Sequence, residues 1–208
     1  MTNETKQVKL YSRGSAKRLA RIALFTALMA VCAQISIPLP GGVPITLQTL
    51  AVMLASIALG FDGVAAVAVY VFLGLIGVPV FSKFGATASL VSPTGGYIVG
   101  FLPMSALMAT IIKTFEKRNE NGLKYAEKRG GARRYFLVFA IASLLGTIVC
   151  YTFGSAWFIG LFALKGVEKS IGYVLSVCVV PFILPDLLKI ALASYLGTVM
   201  RKTVRKNA

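Results

Sequence analysis

The chain has 208 residues, 57% of them hydrophobic and only 14% charged, which excludes an ordinary soluble domain. Its formal net charge of +15 would suit nucleic acid, but 18 of the 22 Lys and Arg fall in residues 1–21, residues 113–134 and the tail from Arg201. Those are the terminal and connecting segments that carry positive charge on the cytoplasmic side of membrane proteins, so a solvated membrane flank is preferred over nucleic-acid binding.

The apolar segments are too many and too long for a globular core, and they do not alternate as barrel strands would. They predict an all-α, polytopic integral membrane protein with six transmembrane helices and both termini cytoplasmic. Three parts follow: a basic cytoplasmic N-terminal segment (1–18), a membrane domain (19–200) and a basic cytoplasmic tail (201–208). No small-residue cleavage pattern follows the first apolar segment, so it reads as a retained span and not a signal peptide. Cys32, Cys150 and Cys178 lie in apolar segments without metal-ligand spacing, and read as packing residues.

Residues 1–18 are polar and basic, expected to be disordered or to lie on the inner membrane surface. The first span runs from about Leu19 to Ile37, ending at Pro38-Leu39-Pro40-Gly41-Gly42. Ala16, Ala20, Ala23, Ala27 and Ala30 recur every three or four residues, a small-residue stripe continued by Gln34. Such a stripe lets another helix approach closely, either within this chain or on a separate protein.

Pro44-Ile45-Thr46-Leu47-Gln48-Thr49 opens the second span, placing Thr and Gln at an outer entrance; the span runs to about Gly60. A turn at Gly60-Phe61-Asp62-Gly63 leads into the third span, which continues to about Val78. Residues 79–95 form the longest outer loop, with Phe81 near its start and Ser92-Pro93-Thr94-Gly95-Gly96-Tyr97 at its end. Ser92 or Thr94 can cap the fourth helix, and Gly95 and Gly96 expose backbone N–H groups that could receive a ligand oxygen.

The fourth span, Tyr97 to Phe115, carries Pro103 and so predicts a kink. The basic loop 113–134 follows. The fifth apolar segment, Tyr135 to Leu164, exceeds one span, so its far end at Trp157 and Phe158 is expected to bend along the outer surface or lid the core.

The last segment, Ile171 to Met200, holds Pro181-Phe182-Ile183-Leu184-Pro185-Asp186-Leu187-Leu188-Lys189. An acid and a base three residues apart share one helix face. At 1.5 Å per residue up from Arg201, Asp186 stands about 22 Å above the inner edge of a hydrocarbon layer about 30 Å thick. A charge at such depth costs on the order of 3 kcal/mol, which points to a protein-lined setting. The pair is either a structural ion pair or a ligand site with N–H donors on Lys189 and acceptors on Asp186. Pro181 and Pro185 weaken the helix before it and free backbone carbonyls.

Catalytic patterns are missing. There is no Walker A sequence and no histidine, so P-loop ATP hydrolysis, a Ser-His dyad and a histidine metal site are all excluded. The expectation is a binding and transport protein with no catalytic residue, metal or cofactor; a stand-alone secondary transporter stays open.

Several stretches together resemble the BioY family, the biotin-binding S components of energy-coupling-factor (ECF) vitamin transporters. They are Thr26 to Pro38, Pro44-Ile-Thr-Leu-Gln-Thr-Leu-Ala, Leu73-Gly-Leu-Ile-Gly-Val-Pro-Val-Phe, Ser92-Pro-Thr-Gly-Gly-Tyr and Leu184-Pro-Asp-Leu-Leu-Lys, spanning about residues 19–200. The departures are the basic N-terminal extension, the long 113–134 loop and Ser92. The resemblance implies capture of biotin from outside and a prokaryotic cell membrane, with a transmembrane T component and a pair of cytoplasmic ATP-binding subunits as partners. It further implies that biotin's carboxylate suits Lys189 and its ureido N–H groups suit Asp186 or a nearby amide. Gln48, Thr94, Gly95 and Gly96 would supply polar contacts, and Phe81, Tyr97 and Trp157 apolar walls. Ala23 and Ala27 would dock the T component. An S component for another carboxylate-bearing vitamin is the neighbouring possibility.

Overall fold

The computed structural model describes residues 3–120, 131–167 and 169–206. Helix dominates it. In chain order the elements are α1 (Asn3–Gln34), β1 (Ser36–Ile37), β2 (Ile45–Thr46), α2 (Gln48–Leu59), α3 (Phe61–Leu75), a 3-10 turn (Ser82–Phe84), α4 (Thr87–Leu90), α5 (Gly95–Glu120), α6 (Gly131–Leu164), α7 (Ile171–Cys178) and α8 (Val180–Lys206). Three helical stretches are long and apolar enough to cross a membrane: Gly95–Arg118, Gly131–Leu164 and Ile171–Met200. With 12 and 15 residues, α2 and α3 are shorter. They span about 18 and 22 Å, less than a hydrocarbon layer about 30 Å thick.

The centre of the bundle is α2, which touches α1, α3, α5, α6 and α8. Beyond its first turn its sequence is apolar on nearly every face, so it has no side to give to water, and Leu50, Ala51, Val52, Met53, Ala55 and Ile57 are all buried against the surrounding helices. Its one interior hydroxyl, on Ser56, bonds back to the Val52 carbonyl at 2.8 Å. The tight α2–α3 turn depends on Gly60, at φ +60°, and on Gly63, where any side chain would overlap the Ala55 carbonyl. Arg18 ties α1 to this turn through Asp62, at 2.6 Å. Thr26 joins α1 to α3 by donating to the Ala66 carbonyl at 3.0 Å.

Close approach of α5 and α6 rests on small residues. A side chain at Gly146 would meet Met104 and Met108 at about 3 Å, and one at Gly154 would overlap the Tyr97 ring. Without a hydrophobic drive in lipid, such contacts hold helices together by dispersion.

Several expectations change in detail. The N-terminal segment is helical from Asn3, and α1 runs on through the 18/19 boundary to Gln34. Much of the 113–134 stretch is helical, since α5 reaches Glu120 and α6 begins at Gly131; residues 121–130 lie outside the described residues. The long fifth segment does not break to form a lid: α6 is one helix of 34 residues, with Phe158 buried in the core. The last segment does break, at Val179 (φ −127°, ψ −57°). Pro181 lacks an N–H and its ring would clash with the carbonyl four residues earlier, so it fits the first turn of α8 and not the interior of one long helix.

Candidate functional site

The first turns of α8 carry the acid and the base on one face, turned into the bundle. Asp186 and Lys189 are 3% and 6% exposed, and Nζ of Lys189 donates to Oδ1 of Asp186 at 2.7 Å. Two further segments complete the cluster. Thr49, in the first turn of α2, accepts from Lys189 at 3.0 Å and donates to Oδ1 of Asp186 at 3.3 Å. Tyr151 of α6 donates its hydroxyl to Oδ2 of Asp186 at 2.7 Å. Isolated, each charge would be expelled from such a setting; together they form a net-neutral group in which each bond is charge-assisted.

The cluster opens on a cavity of about 270 Å³, close to the lower end of small-molecule sites at about 300 Å³. One wall is the hairpin β1–β2, paired Ser36 to Thr46 and Ile37 to Ile45, whose loop brings Leu39, Gly42, Val43 and Pro44 over the cavity. The opposite wall comes from α5, α6 and α8, through Tyr97, Phe101, Thr147, Cys150 and Phe182. Phe81 and its neighbours on the 79–85 turn close a third side. Rings and aliphatic groups therefore make most of the lining, with the polar cluster set deep in it.

Among the residues singled out from sequence, the structure brings Asp186, Lys189, Gln48, Thr94, Tyr97 and Phe81 onto this lining. Some are already engaged with the chain itself. Gln48 accepts from the Thr46 hydroxyl at 3.0 Å through Oε1 and donates to the Tyr70 hydroxyl through Nε2. Thr94 donates to the Ser89 carbonyl at 3.2 Å and lies 2.7 Å from the Ser92 hydroxyl, which accepts from the Thr94 N–H. Tyr97 donates to the carbonyl of Cys178. That carbonyl is freed by the break at Val179, since the Phe182 N–H turns to Val179 instead. The carbonyl liberated near the prolines thus serves helix docking.

Gly95, Gly96 and Trp157 stand behind the lining. A side chain at Gly95 would overlap the Leu90 carbonyl, and one at Gly96 would overlap Cβ of Trp157 and lie 2.7 Å from the Phe153 carbonyl oxygen. The Gly-Gly pair is what lets α6 press against the start of α5. Trp157 donates its indole N–H to the Ser92 carbonyl at 3.1 Å, clasping the loop from outside. Sequence reasoning missed Thr49 and Tyr151 as ligands of the buried acid. Thr49 adjoins Gln48 and was within reach of the same argument; a lone tyrosine in an apolar helix carries no such signal.

The predicted stripe on α1 points outward over most of its length, with Ala30 half-buried against the core. Ala16, Ala20, Ala23 and Ala27 are exposed, while Thr26, Met29 and Ala33 take the buried face.

The family model described as the BioY family matches residues 2–206. The chain is 37% identical over 188 residues to "Biotin transporter BioY" of Thermotoga maritima, covering 89% of this chain and 96% of that one. It is 37% identical over 180 residues to "Probable biotin transporter BioY" of Pyrococcus horikoshii, covering 86% and 92%. A crystal structure of the S-component for biotin from an ECF-type ABC transporter superposes with a TM-score of 0.73 at 25% identity, covering 97% of this chain and 95% of the other.

Proposed function

This chain belongs to the BioY family, and from that premise we propose that it captures biotin in the cavity above Asp186 and Lys189 and delivers it inward as the S component of an ECF transporter. It is a transport component and not an enzyme. The observation that carries the reading is a buried, net-neutral donor–acceptor cluster opening on an apolar cavity of vitamin size.

A cyclic urea sets an N–H beside a C=O, and Asp186 with Lys189 sets an acceptor beside a donor. The ammonium has three donors and spends two on Asp186 and Thr49; the carboxylate has about four acceptor sites and gives three to Lys189, Thr49 and Tyr151. One donor and one acceptor are left, matching the ureido edge. This arrangement revises the sequence-based assignment of biotin's carboxylate to Lys189. There, two carboxylates would share one cation in a site only 3% and 6% exposed, a costly buried negative charge. The thiophane ring then meets Phe81, Tyr97 and Phe182, with Gln48 and Thr94 at the edges. Gly95, Gly96 and Trp157 support the site from behind.

In this reading the bundle crosses the plasma membrane of a prokaryote six times with both termini cytoplasmic, α2 serving as a short, protein-enclosed span and α3 as a short span that turns Val69, Phe72 and Leu75 outward. The exposed Ala23 and Ala27 give α1 a flat face for a T component. ATP hydrolysis in two cytoplasmic subunits drives reorientation of the whole S component. The test is saturable binding of radiolabelled biotin to the purified chain, displaced by unlabelled biotin and not by other carboxylate-bearing vitamins. No saturable binding, or equal displacement by another vitamin, would overturn it.

A further inference from the structure

Of the 22 Lys and Arg, four stand outside the basic terminal and connecting segments: Lys83, Lys165, Lys169 and Lys189. Asp186 neutralises Lys189, and Lys83 lies on the cavity lining. Lys165 and Lys169 fall together between α6 and α7, at the end of α6 far from the basic stretch, where the charge bias of membrane proteins leaves cations uncommon. No residue from 162 to 173 lines the cavity.

Both ammonium groups are set against aromatic rings. Helix α6 ends in a turn closed by the Gly166 N–H on the Ala163 carbonyl and the Val167 N–H on the Phe162 carbonyl, each at 3.0 Å, with Gly166 at φ +71°. Next to this turn, Nζ of Lys165 lies 5.8 Å from the Phe162 ring centroid. On the other side Ser170 caps α7 by accepting from the Tyr173 N–H at 3.3 Å, and Nζ of Lys169 lies 5.4 Å from Phe162 and 4.7 Å from Tyr173. Phe162 stacks on the buried Phe158 with centroids 4.6 Å apart, so the core fixes the shared ring. A ring face attracts a cation but supplies no counter-charge. Among the described residues no acid pairs with either lysine. Glu168 lies outside the described residues, and counting it the connection 165–170 still carries a net positive charge. Beside the lysines, Leu164, Val167 and Ile171 are 89%, 42% and 71% exposed. Ammonium groups on rings next to exposed aliphatic side chains match a membrane interface, with phosphates on one side and acyl chains on the other.

We propose that the α6–α7 connection docks an anionic phospholipid, Lys165 and Lys169 sharing its headgroup phosphate while Leu164, Val167 and Ile171 reach into the acyl layer. Two like charges drawn to one ring repel each other, and a phosphate between them relieves this through charge-assisted hydrogen bonds. A zwitterionic lipid brings a cation of its own, so the site favours phosphatidylglycerol over phosphatidylcholine. Under the topology proposed above, the lipid belongs to the outer leaflet.

Trp157, the sole tryptophan of the chain, is 39% exposed and stands about two helical turns before Lys165, which makes it a local reporter. The test reconstitutes the full chain in phosphatidylcholine vesicles and compares quenching of Trp157 by brominated phosphatidylglycerol and by brominated phosphatidylcholine, present in both leaflets. Wild type is expected to prefer phosphatidylglycerol about fivefold, as for two exposed ion pairs. Lys165→Gln with Lys169→Gln should abolish the preference and Lys165→Arg with Lys169→Arg should keep it. Lys117→Gln with Arg118→Gln, on the basic flank, should leave it unchanged. Equal quenching by the two lipids in wild type, a preference that survives the glutamine pair, or its displacement by inorganic phosphate overturns the site. With lipid in both leaflets the result does not depend on orientation. Absence of saturable biotin binding in the same vesicles would overturn biotin capture and leave the lipid preference standing.

Discussion

Lys189→Ala, set beside a double variant that carries neither charge, separates the ligand role of the buried pair from its structural one. Removing the ammonium leaves Asp186, 3% exposed, with only Thr49 and Tyr151 as donors. Stranding one member of a buried ion pair costs about 3–5 kcal/mol of stability. The lost charge-assisted contact to the ligand adds about 1.5–3 kcal/mol, so biotin binding should weaken roughly 10- to 150-fold. The single variant mixes both effects. A second protein, Asp186→Asn combined with Lys189→Met, removes the charges together and leaves no ion unpaired. It should recover most of the melting temperature and still bind biotin at least about tenfold more weakly. Titration calorimetry on detergent-purified protein, beside thermal unfolding of the same samples, reads both quantities. A folded double variant with wild-type biotin affinity would refute the assignment and leave the pair as a brace between helices.

Gly96→Ala should lower the melting temperature, since the new Cβ would overlap Cβ of Trp157 and fall 2.7 Å from the Phe153 carbonyl oxygen. Forcing α5 and α6 apart costs about 1–3 kcal/mol; unchanged thermal unfolding would show that the helices have room to spare. Ala27→Trp should leave biotin binding intact, because that position faces outward, and abolish co-purification with a T component. An Ala27→Trp variant that still co-purifies would place the docking face elsewhere.

Much of this site is legible in the sequence because charge inside apolar segments is so costly that Asp186 and Lys189 identify themselves. Their i, i+3 spacing gives the shared face, and counting up from Arg201 gives the depth. Tyr151 and Thr49 are not legible in the same way. They lie 35 and 137 residues from Asp186, and only the packing of α6 and α2 against α8 brings them to it. Gly95-Gly96 carries a constraint of the same hidden kind. Its bare N–H groups read locally as a ligand cradle, while the close approach of the distant Trp157 and Phe153, which also leaves no room for a side chain at Gly96, shows only in the packing. Pro181 reads as a weak point and proves to be a helix start, since the sequence does not show which of two prolines the chain will break before. The left-handed backbone of Lys83 (φ 56°, ψ 39°) is silent in sequence, as are the bonds by which Tyr70 and Gln34, from α3 and α1, hold the Val80 and Phe81 carbonyls just before it.

The cavity draws its lining from both sides of residues 121–130. Thr49, Phe81 and Tyr97 come before that connection; Tyr151, Asp186 and Lys189 come after it. A polypeptide cut there divides the cavity lining between two fragments, neither of which holds the whole of it. On the proposed reading, occupancy by the vitamin would bridge amino-terminal and carboxy-terminal halves like a rivet, and letting it go would mean loosening the seam between them.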